Sequence, residues 1–128
     1  MQPEMAIIVL PIPPHVLSPN SAVGTVNGRF AKASATKRQR RLADEAVQEE
    51  RIETAPWGKV EVTPHFFFKT NRRRDDANAV ASLKGAYDGI VDSGLVPNDS
   101  HEHWTNRPPE FNIDRLNPRV VIFIKRLA

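Results

Sequence analysis

The sequence contains no cysteine in 128 residues. Disulfide bonds, thiolate zinc sites and thiol catalysis are therefore excluded, and we expect a protein of the reducing cytoplasm. The apolar stretch "AIIVLPIPPHVL" is interrupted by Pro11, Pro13 and Pro14, and no basic residue precedes it, so it does not predict a signal peptide. No later apolar run is long enough to span a bilayer, so we expect a soluble protein without a membrane segment.

Acidic residues are also scarce in the first third of the chain. Before Asp44 the only acid is Glu4, although the net charge of the whole chain is only +3. The basic residues of this part are Arg29, Lys32, Lys37, Arg38, Arg40 and Arg41. A segment of this kind either binds a polyanion or forms a solvated helix face. Lys37, Arg38 and Arg41 are therefore candidates for DNA contact, with the solvated face as the alternative.

The hydrophobic pattern predicts a single small domain over residues 1–128. Residues 6–10 form an apolar, β-branched run that predicts a strand buried on both faces. A loop with Gly24, Asn27 and Gly28 as turn signals follows, and residues 33–50 favour a helix. Residues 59–69 alternate as a strand, in which Pro64 indicates a sheet edge or a bulge.

The second half of the chain predicts one more helix and two strands. The helix covers residues 76–94, with Gly94 at its C-terminal stop, and its apolar residues recur at helical spacing. A short strand lies within residues 96–105, and "RVVIFIK", residues 119–125, forms the last strand. This order predicts an α+β fold in which a small mixed sheet packs with two helices.

The segment "NRRRDDANAVASLK" places three arginines directly beside two aspartates. Arg72, Arg73 and Arg74 are adjacent, and Lys69 precedes them closely. Such dense like charge repels itself unless a partner neutralises it, and arginine binds phosphate groups in a fixed fork geometry. We therefore predict that these four cations bind a nucleic-acid backbone, with a solvated loop as the alternative.

Acidic residues beside these cations suggest a metal site. We predict that Asp75, Lys84 and Asp99 converge at one end of the second helix, with the lysine ammonium leaning back towards the helix N-terminus. Carboxylates of this kind bind magnesium, and a lysine adds positive charge where a phosphoryl transition state becomes negative. Three ordinary roles compete: a helix N-cap for Asp75 or Asp76, an ion pair between Lys84 and Asp88, and a turn for Asp99.

The stretch "RRRDDANAVASLKGAYDGIVDSGLVPNDS" resembles the RusA family of Holliday junction endonucleases, which is frequent in phages and prophages. The family pattern is Arg-Arg-Asp-x-Asp-Asn, then a lysine, an Asp four residues later, a glycine and an Asp-Asp pair. The matching positions here are Arg73, Arg74, Asp75, Asn78, Lys84, Asp88, Gly94 and Asp99. The segments "LPIPP" and "LSPN", which includes Asn20, are similar to the family's N-terminal motif, so the resemblance covers most of the chain.

The resemblance implies a RusA-like fold and a homodimer whose two-fold axis matches a four-way DNA junction. It implies that Asp75 and Asp99 hold Mg²⁺, or alternatively Mn²⁺, with Asp76 as a third candidate ligand. Lys84 would then stabilise charge or orient water. Arg72, Arg73 and Arg74 would hold phosphates, and Asn78 and Asp88 would support the site.

Two positions depart from the family pattern. Ala77 stands where the family has its second Asp, and Asn98 replaces the first Asp of the pair. Asp76 is one residue from Ala77, but on a helix this is a rotation of roughly 100°. Two functions therefore remain open: a magnesium-dependent endonuclease with impaired activity, or a protein that binds branched DNA without cutting it. A structural phage component that contacts packaged nucleic acid is a third alternative.

Overall fold

The computed structural model describes residues 4–19 and 24–128. In this part of the chain, a mixed five-stranded sheet and three helices form a small single-domain α+β fold. The strands are β1 Met5–Leu10, β2 Val60–Phe68, β3 Trp104–Asn106, β4 Glu110–Ile113 and β5 Arg119–Arg126. The helices are α1 Val26–Glu49, α2 Asp76–Ala81 and α3 Lys84–Asp92, and a 3₁₀ turn covers His15–Leu17. The predicted class, an α+β domain with a mixed sheet, is confirmed.

The sheet has the order β1-β5-β2, and β3 and β4 lie one after the other along the free side of β2. Strand β5 is antiparallel to both of its neighbours, whereas β3 and β4 run parallel to β2. The strand predicted within residues 96–105 begins only at Trp104, because the residues before it turn. Asn98 Oδ1 accepts a hydrogen bond from Ser100 N at 2.9 Å in that turn. The sequence pattern did not predict β4.

Pro64 lies on an interior strand, so β2 is not an edge strand, but Pro64 itself is paired on one side only, which is a local edge of the predicted kind. It is paired with Ile122 of β5 on one side. On the other side, β3 ends beside Val62, whose carbonyl accepts from Arg107 N, and β4 begins beside His65. Groups two residues apart on a strand point the same way, so the Pro64 nitrogen faces the gap between β3 and β4. A proline is tolerated there because no ladder hydrogen bond requires its missing N–H.

Burial alternates along the strands, and the helices cover only one face of the sheet. Ala6, Ile8 and Leu10 of β1 belong to the core together with residues of α1 and α3. The prediction that β1 is buried on both faces is wrong, because Met5, Ile7 and Val9 are 44–57% exposed on the other face. The side chains of β2 follow the predicted alternation, with Val60, Val62 and Phe66 buried.

Helix α1 begins seven residues earlier than predicted. Thr25 caps it by accepting a hydrogen bond from Gly28 N at 3.0 Å, so Asn27 and Gly28 belong to its first turn and not to a loop turn. Part of the predicted loop, including Asn20 of the N-terminal motif, lies outside the described residues. Within the described ranges, no helix combines the length and apolar character of a transmembrane span.

The predicted second helix is divided into α2 and α3 by a turn at Ser82 and Leu83. Gln39 of α1 is buried and bonds both sides of this break: its Nε2 donates to Ser82 O, and its Oε1 accepts from Ala86 N, each at 3.0 Å. The predicted stripe is confirmed for Leu83 and Tyr87, which are buried. Gly94 follows α3 with φ of 86°, the left-handed conformation of a helix stop.

Candidate nucleic-acid interface

A cleft of about 670 Å³ opens where β2 ends and α2 begins. The proline-rich segment after β1 forms its opposite wall. We call it the arginine cleft. It is lined by six polar residues that the sequence analysis selected as candidates. They are Lys69, Arg72, Arg73, Arg74, Asp75 and Asn78. The cleft therefore brings together the predicted phosphate-binding cations and one of the predicted metal ligands.

The local sequence explains why these side chains meet. Strand β2 ends at Phe68, and the chain continues without regular structure until Asp75 caps α2. Asp75 Oδ1 accepts a hydrogen bond from Asn78 N at 3.0 Å, so the N-cap role considered for this residue is confirmed. Thr70 O accepts from Arg72 N at 3.2 Å, which folds the arginine segment back over the end of the strand.

Arg74 is the most constrained cation of the cleft. Its guanidinium lies over the Phe68 ring, 3.8 Å from the ring centroid, and its Nε is buried without a hydrogen-bond partner. Among the described residues, Thr70 O accepts a hydrogen bond from Arg74 Nη2 at 3.4 Å. Burial lowers the pKa of Arg74, and the neighbouring positive charge of Arg72 lowers it further. The charged form of Arg74 is thus held in place by an aromatic ring but lacks a negative partner, which is the condition that a bound anion relieves.

The rest of the lining is strongly positive. Lys69, Arg72 and Arg73 are exposed, and Asp75 is the one carboxylate among the residues that line this cleft. Four cations therefore face one acid. Such a surface attracts polyanions and binds phosphate oxygens through several donors at once.

Asp76 and Ala77 do not line the cleft. Both are exposed in the first turn of α2, and Asp76 follows the capping residue directly. Asn78, which matches the asparagine of the family pattern, is half-buried and lines the cleft. Asp76, the candidate replacement for the missing carboxylate, does not line it. The helical rotation between adjacent residues explains this difference.

Asp99 lies at the opposite end of the molecule from Asp75. It precedes Ser100, whose carbonyl accepts a hydrogen bond from Trp104 N at 2.9 Å, and Trp104 is paired with the first residue of β2. Asp75 lies beside the last residues of the same strand. The length of β2 separates these two places by roughly 26 Å, at about 3.3 Å per residue. The predicted convergence of Asp75 and Asp99 within one protomer is therefore wrong, because the β2–α2 and α3–β3 connections leave opposite ends of the sheet.

Lys84 opens α3 and lies in a hollow next to the arginine cleft. Its Nζ is 3.4 Å from Asp88 Oδ1, so the ordinary i,i+4 ion pair is present. The Lys84 side chain is 72% exposed, and such a pair contributes little to stability. Its predicted role in charge stabilisation stays a prediction.

The α1 cations predicted to contact DNA lie in two different places. Lys37 and Arg41 are two residues before and after buried Gln39, and a helical rotation of about 200° places both on the outer side of the helix. Arg41 pairs there with Glu45 at 3.8 Å. Neither residue lines the arginine cleft, and their contact with DNA stays a prediction, with the solvated helix face as the alternative. Arg38 lines a separate hollow against Pro13 and Pro14, which also line the arginine cleft.

Lys32 is a cation that the sequence analysis did not select for DNA contact. It lies in the same hollow as Lys84, half-buried, on the side of α1 that faces α3. The sequence signal for this position is the spacing between Lys32 and Gln39. Residues seven apart, about two helical turns, lie on the same face of a helix. That signal was hidden because the helix was predicted to begin only at residue 33.

The described residues of one chain offer only a partial site for magnesium. Among the described residues, no three His, Asp or Glu side chains gather closely enough to hold a metal ion. Magnesium often uses only one or two carboxylates and completes its shell with water and substrate phosphates. Asp75, with its second carboxylate oxygen, fits such a partial site, whereas a site built on Asp75, Asp76 and Asp99 together does not fit one protomer.

Two comparisons were made with known proteins. No protein-family model matches the chain, and a search of curated proteins found no significant match.

Proposed function

We propose that this chain binds the sugar–phosphate backbone of branched DNA in the arginine cleft and acts there as a magnesium-dependent endonuclease of the RusA type. The observation that carries the proposal is the arginine cleft itself, where four cations surround one carboxylate at the end of β2. We propose a homodimer as the working unit, because two identical sites related by a two-fold axis suit a four-way junction.

Phosphate is the anion that this cleft fits best. Arg74 lines the cleft and is stacked on Phe68, so its guanidinium is held in one orientation rather than being a flexible charge. Arg72 and Arg73 are exposed and extend the positive surface beyond a single ligand. A row of cations at this spacing matches a repeating polyanion better than it matches a single carboxylate ligand.

The position of Asp75 supports hydrolysis rather than binding alone. It is the acid that a phosphate held by the arginines would meet first, and it occupies the matching position of the family pattern. A bound magnesium or manganese ion would polarise the phosphoryl group and lower the pKa of an attacking water. Asp75 and phosphate oxygens would hold that ion, and a second protomer would have to supply the Asp99 carboxylate.

A second candidate function is recognition of branched DNA without cleavage. Ala77 stands where the family has a carboxylate, and Asp99 lies at the far end of β2 from the cleft. Both features lower the number of carboxylate oxygens that could hold a metal ion near Asp75. Neither changes the cations that would bind phosphate. The two functions share the cleft and differ only in the metal-dependent step.

A junction-cleavage assay separates the two candidates. The wild-type chain, Asp75→Asn and Ala77→Asp are incubated with a labelled four-way junction, with and without Mg²⁺ or Mn²⁺, and binding is measured in parallel. For the endonuclease we expect metal-dependent nicking by the wild type, loss of nicking by Asp75→Asn and retained binding by that variant. Binding by all three chains with nicking by Ala77→Asp alone would establish the binding-only function. Absence of binding by the wild type would overturn both.

Comparison of the wild type with Ala77→Asp also tests the departure from the family pattern. Higher activity of Ala77→Asp would show that the native alanine impairs the site. Equal and robust nicking by both chains would show that Ala77 is irrelevant to the reaction.

A further inference from the structure

A second basic hollow adjoins the arginine cleft. It has a volume of about 300 Å³ and lies between the first half of α1, the start of α3 and the end of the 3₁₀ turn. Lys32 and Lys84 line it from the two helices, and we call it the lysine groove. Ser82 lines both hollows, so the lysine groove continues the arginine cleft across the α2–α3 break.

The walls of the lysine groove are fixed by close helix packing. A Cβ added at Gly85 would lie 2.8 Å from Thr36 O and 2.8 Å from Gln39 Oε1, so α1 and α3 meet here almost backbone to backbone. Lys32 O accepts a hydrogen bond from Thr36 Oγ1 at 2.8 Å, one helical turn before this contact. The two lysines therefore leave from rigid helices on either side of a tight contact, and not from a loop.

The charge of the groove is available to a ligand. Lys84 pairs only with Asp88, at 3.4 Å, and its side chain is 72% exposed. Exposed pairs of this kind contribute roughly 0–1 kcal/mol, so a phosphate can compete for the lysine. Lys32 is half-buried and lines the hollow, and a half-buried lysine usually keeps its ammonium group in water.

The opposite side of the arginine cleft offers no comparable charge. A hollow of about 370 Å³ there is lined by Phe111, Asn112 and Ile113, and its cations are Arg72 and Arg74, which already belong to the arginine cleft. Of these two hollows, the lysine groove is the one that adds cations to those of the arginine cleft.

We propose that the lysine groove is a second phosphate-binding site, and that one nucleic-acid strand runs from the arginine cleft over Ser82 to Lys32 and Lys84. This inference rests on the proposed function, and it adds the direction of the strand and a new contact residue, Lys32.

The test measures the salt dependence of binding to a labelled four-way junction. Each lost phosphate contact reduces the slope of log K against log salt by about 0.9. We expect Lys32→Ala to lower affinity several-fold and to reduce the slope by about 0.9, the value for one phosphate contact. Lys125→Ala, a lysine of β5 on the sheet face that the helices leave uncovered, should keep the wild-type slope. Lys32→Gln, which retains most of the stem, should match Lys32→Ala if the charge is responsible.

Arg73→Ala distinguishes failure of this inference from failure of the proposed function. If Arg73→Ala reduces the slope while both Lys32 variants keep it, the lysine groove does not bind phosphate and the arginine cleft still does. If Arg73→Ala also keeps the slope, the proposed function fails together with the inference. The urea midpoints of all variants should equal that of the wild type, since a folding defect would lower affinity without a charge-specific change in slope.

Discussion

Gln39 connects helix α1 to the α2–α3 break beside the candidate interface, so its replacement tests whether α1 fixes the position of that break. It is buried on α1, and its amide forms hydrogen bonds to both sides of the α2–α3 break. Replacement by alanine leaves the Ser82 carbonyl and the Ala86 N–H without their partner. Because Ser82 also lines the arginine cleft and the lysine groove, we expect both hollows to loosen together.

The magnitude follows from the two hydrogen bonds. Each buried group left without a partner costs roughly 1–3 kcal/mol, so Gln39→Ala should lower the free energy of unfolding by about 2–6 kcal/mol. A domain of this size has roughly 5–15 kcal/mol in total, so the variant should still fold. With a urea slope of about 1.5 kcal/mol per molar, a loss of about 3 kcal/mol moves the unfolding midpoint by about 2 M.

The measurement is equilibrium urea unfolding, and Gln48→Ala is the matched control. Gln48 is also on α1 and also bonds the end of α3, but it is exposed and its bonds are long, 3.3 Å to Ser93 O and 3.4 Å to Asp44 Oδ1. Water replaces such bonds, so Gln48→Ala should change the free energy of unfolding by about 0.5 kcal/mol or less. If the two variants lose equal amounts, the α2–α3 break does not depend on Gln39 and the reasoning is refuted.

Two further predictions concern packing and acid stability. Gly89→Ala should destabilise the fold by about 1–3 kcal/mol in a thermal melt, because the new Cβ would meet Arg40 O at 2.1 Å, and this clash outweighs the roughly 1 kcal/mol gained in helix propensity. A variant at least as stable as the wild type would show that α1 and α3 separate easily. Arg119, with help from backbone N–H groups, lowers the pKa of Asp114 below its ordinary 3.8, so this carboxylate stabilises the fold above that pH and loses its effect as pH falls through the lowered value. The stability difference between wild type and Asp114→Asn should therefore be constant from pH 7 to 5 and shrink below pH 4, and a difference that grows on acidification would contradict this assignment.

Much of the fold followed from local pattern. The alternation that predicted β2, the apolar run of β5 and the buried stripe of the second helix are set by residues close together in sequence, and the structure confirms them. The start of α1 was missed because Asn27 and Gly28 favour turns, whereas the Thr25 cap overrides that preference. The place of Pro64 could not be read from sequence, since it depends on where β3 ends and β4 begins.

The part of the candidate site that could be predicted is the part formed by residues adjacent in the sequence. Arg72, Arg73, Arg74 and Asp75 are adjacent in the chain, so their meeting in one cleft required only the β2–α2 connection. The distance between Asp75 and Asp99 depends instead on which ends of the sheet the intervening elements leave. The spacing of the two residues along the chain carries no information on that distance.

The most direct test of the account is equilibrium binding of the wild type and Arg74→Ala to a labelled four-way junction, with a linear duplex of the same sequence as competitor. We expect the wild type to prefer the junction. Because a charge-assisted hydrogen bond contributes about 1.5–3 kcal/mol, Arg74→Ala should weaken binding about tenfold or more, with an unchanged urea midpoint. Equal affinity of the two chains for the junction would contradict the claim that the arginine cleft binds the DNA backbone.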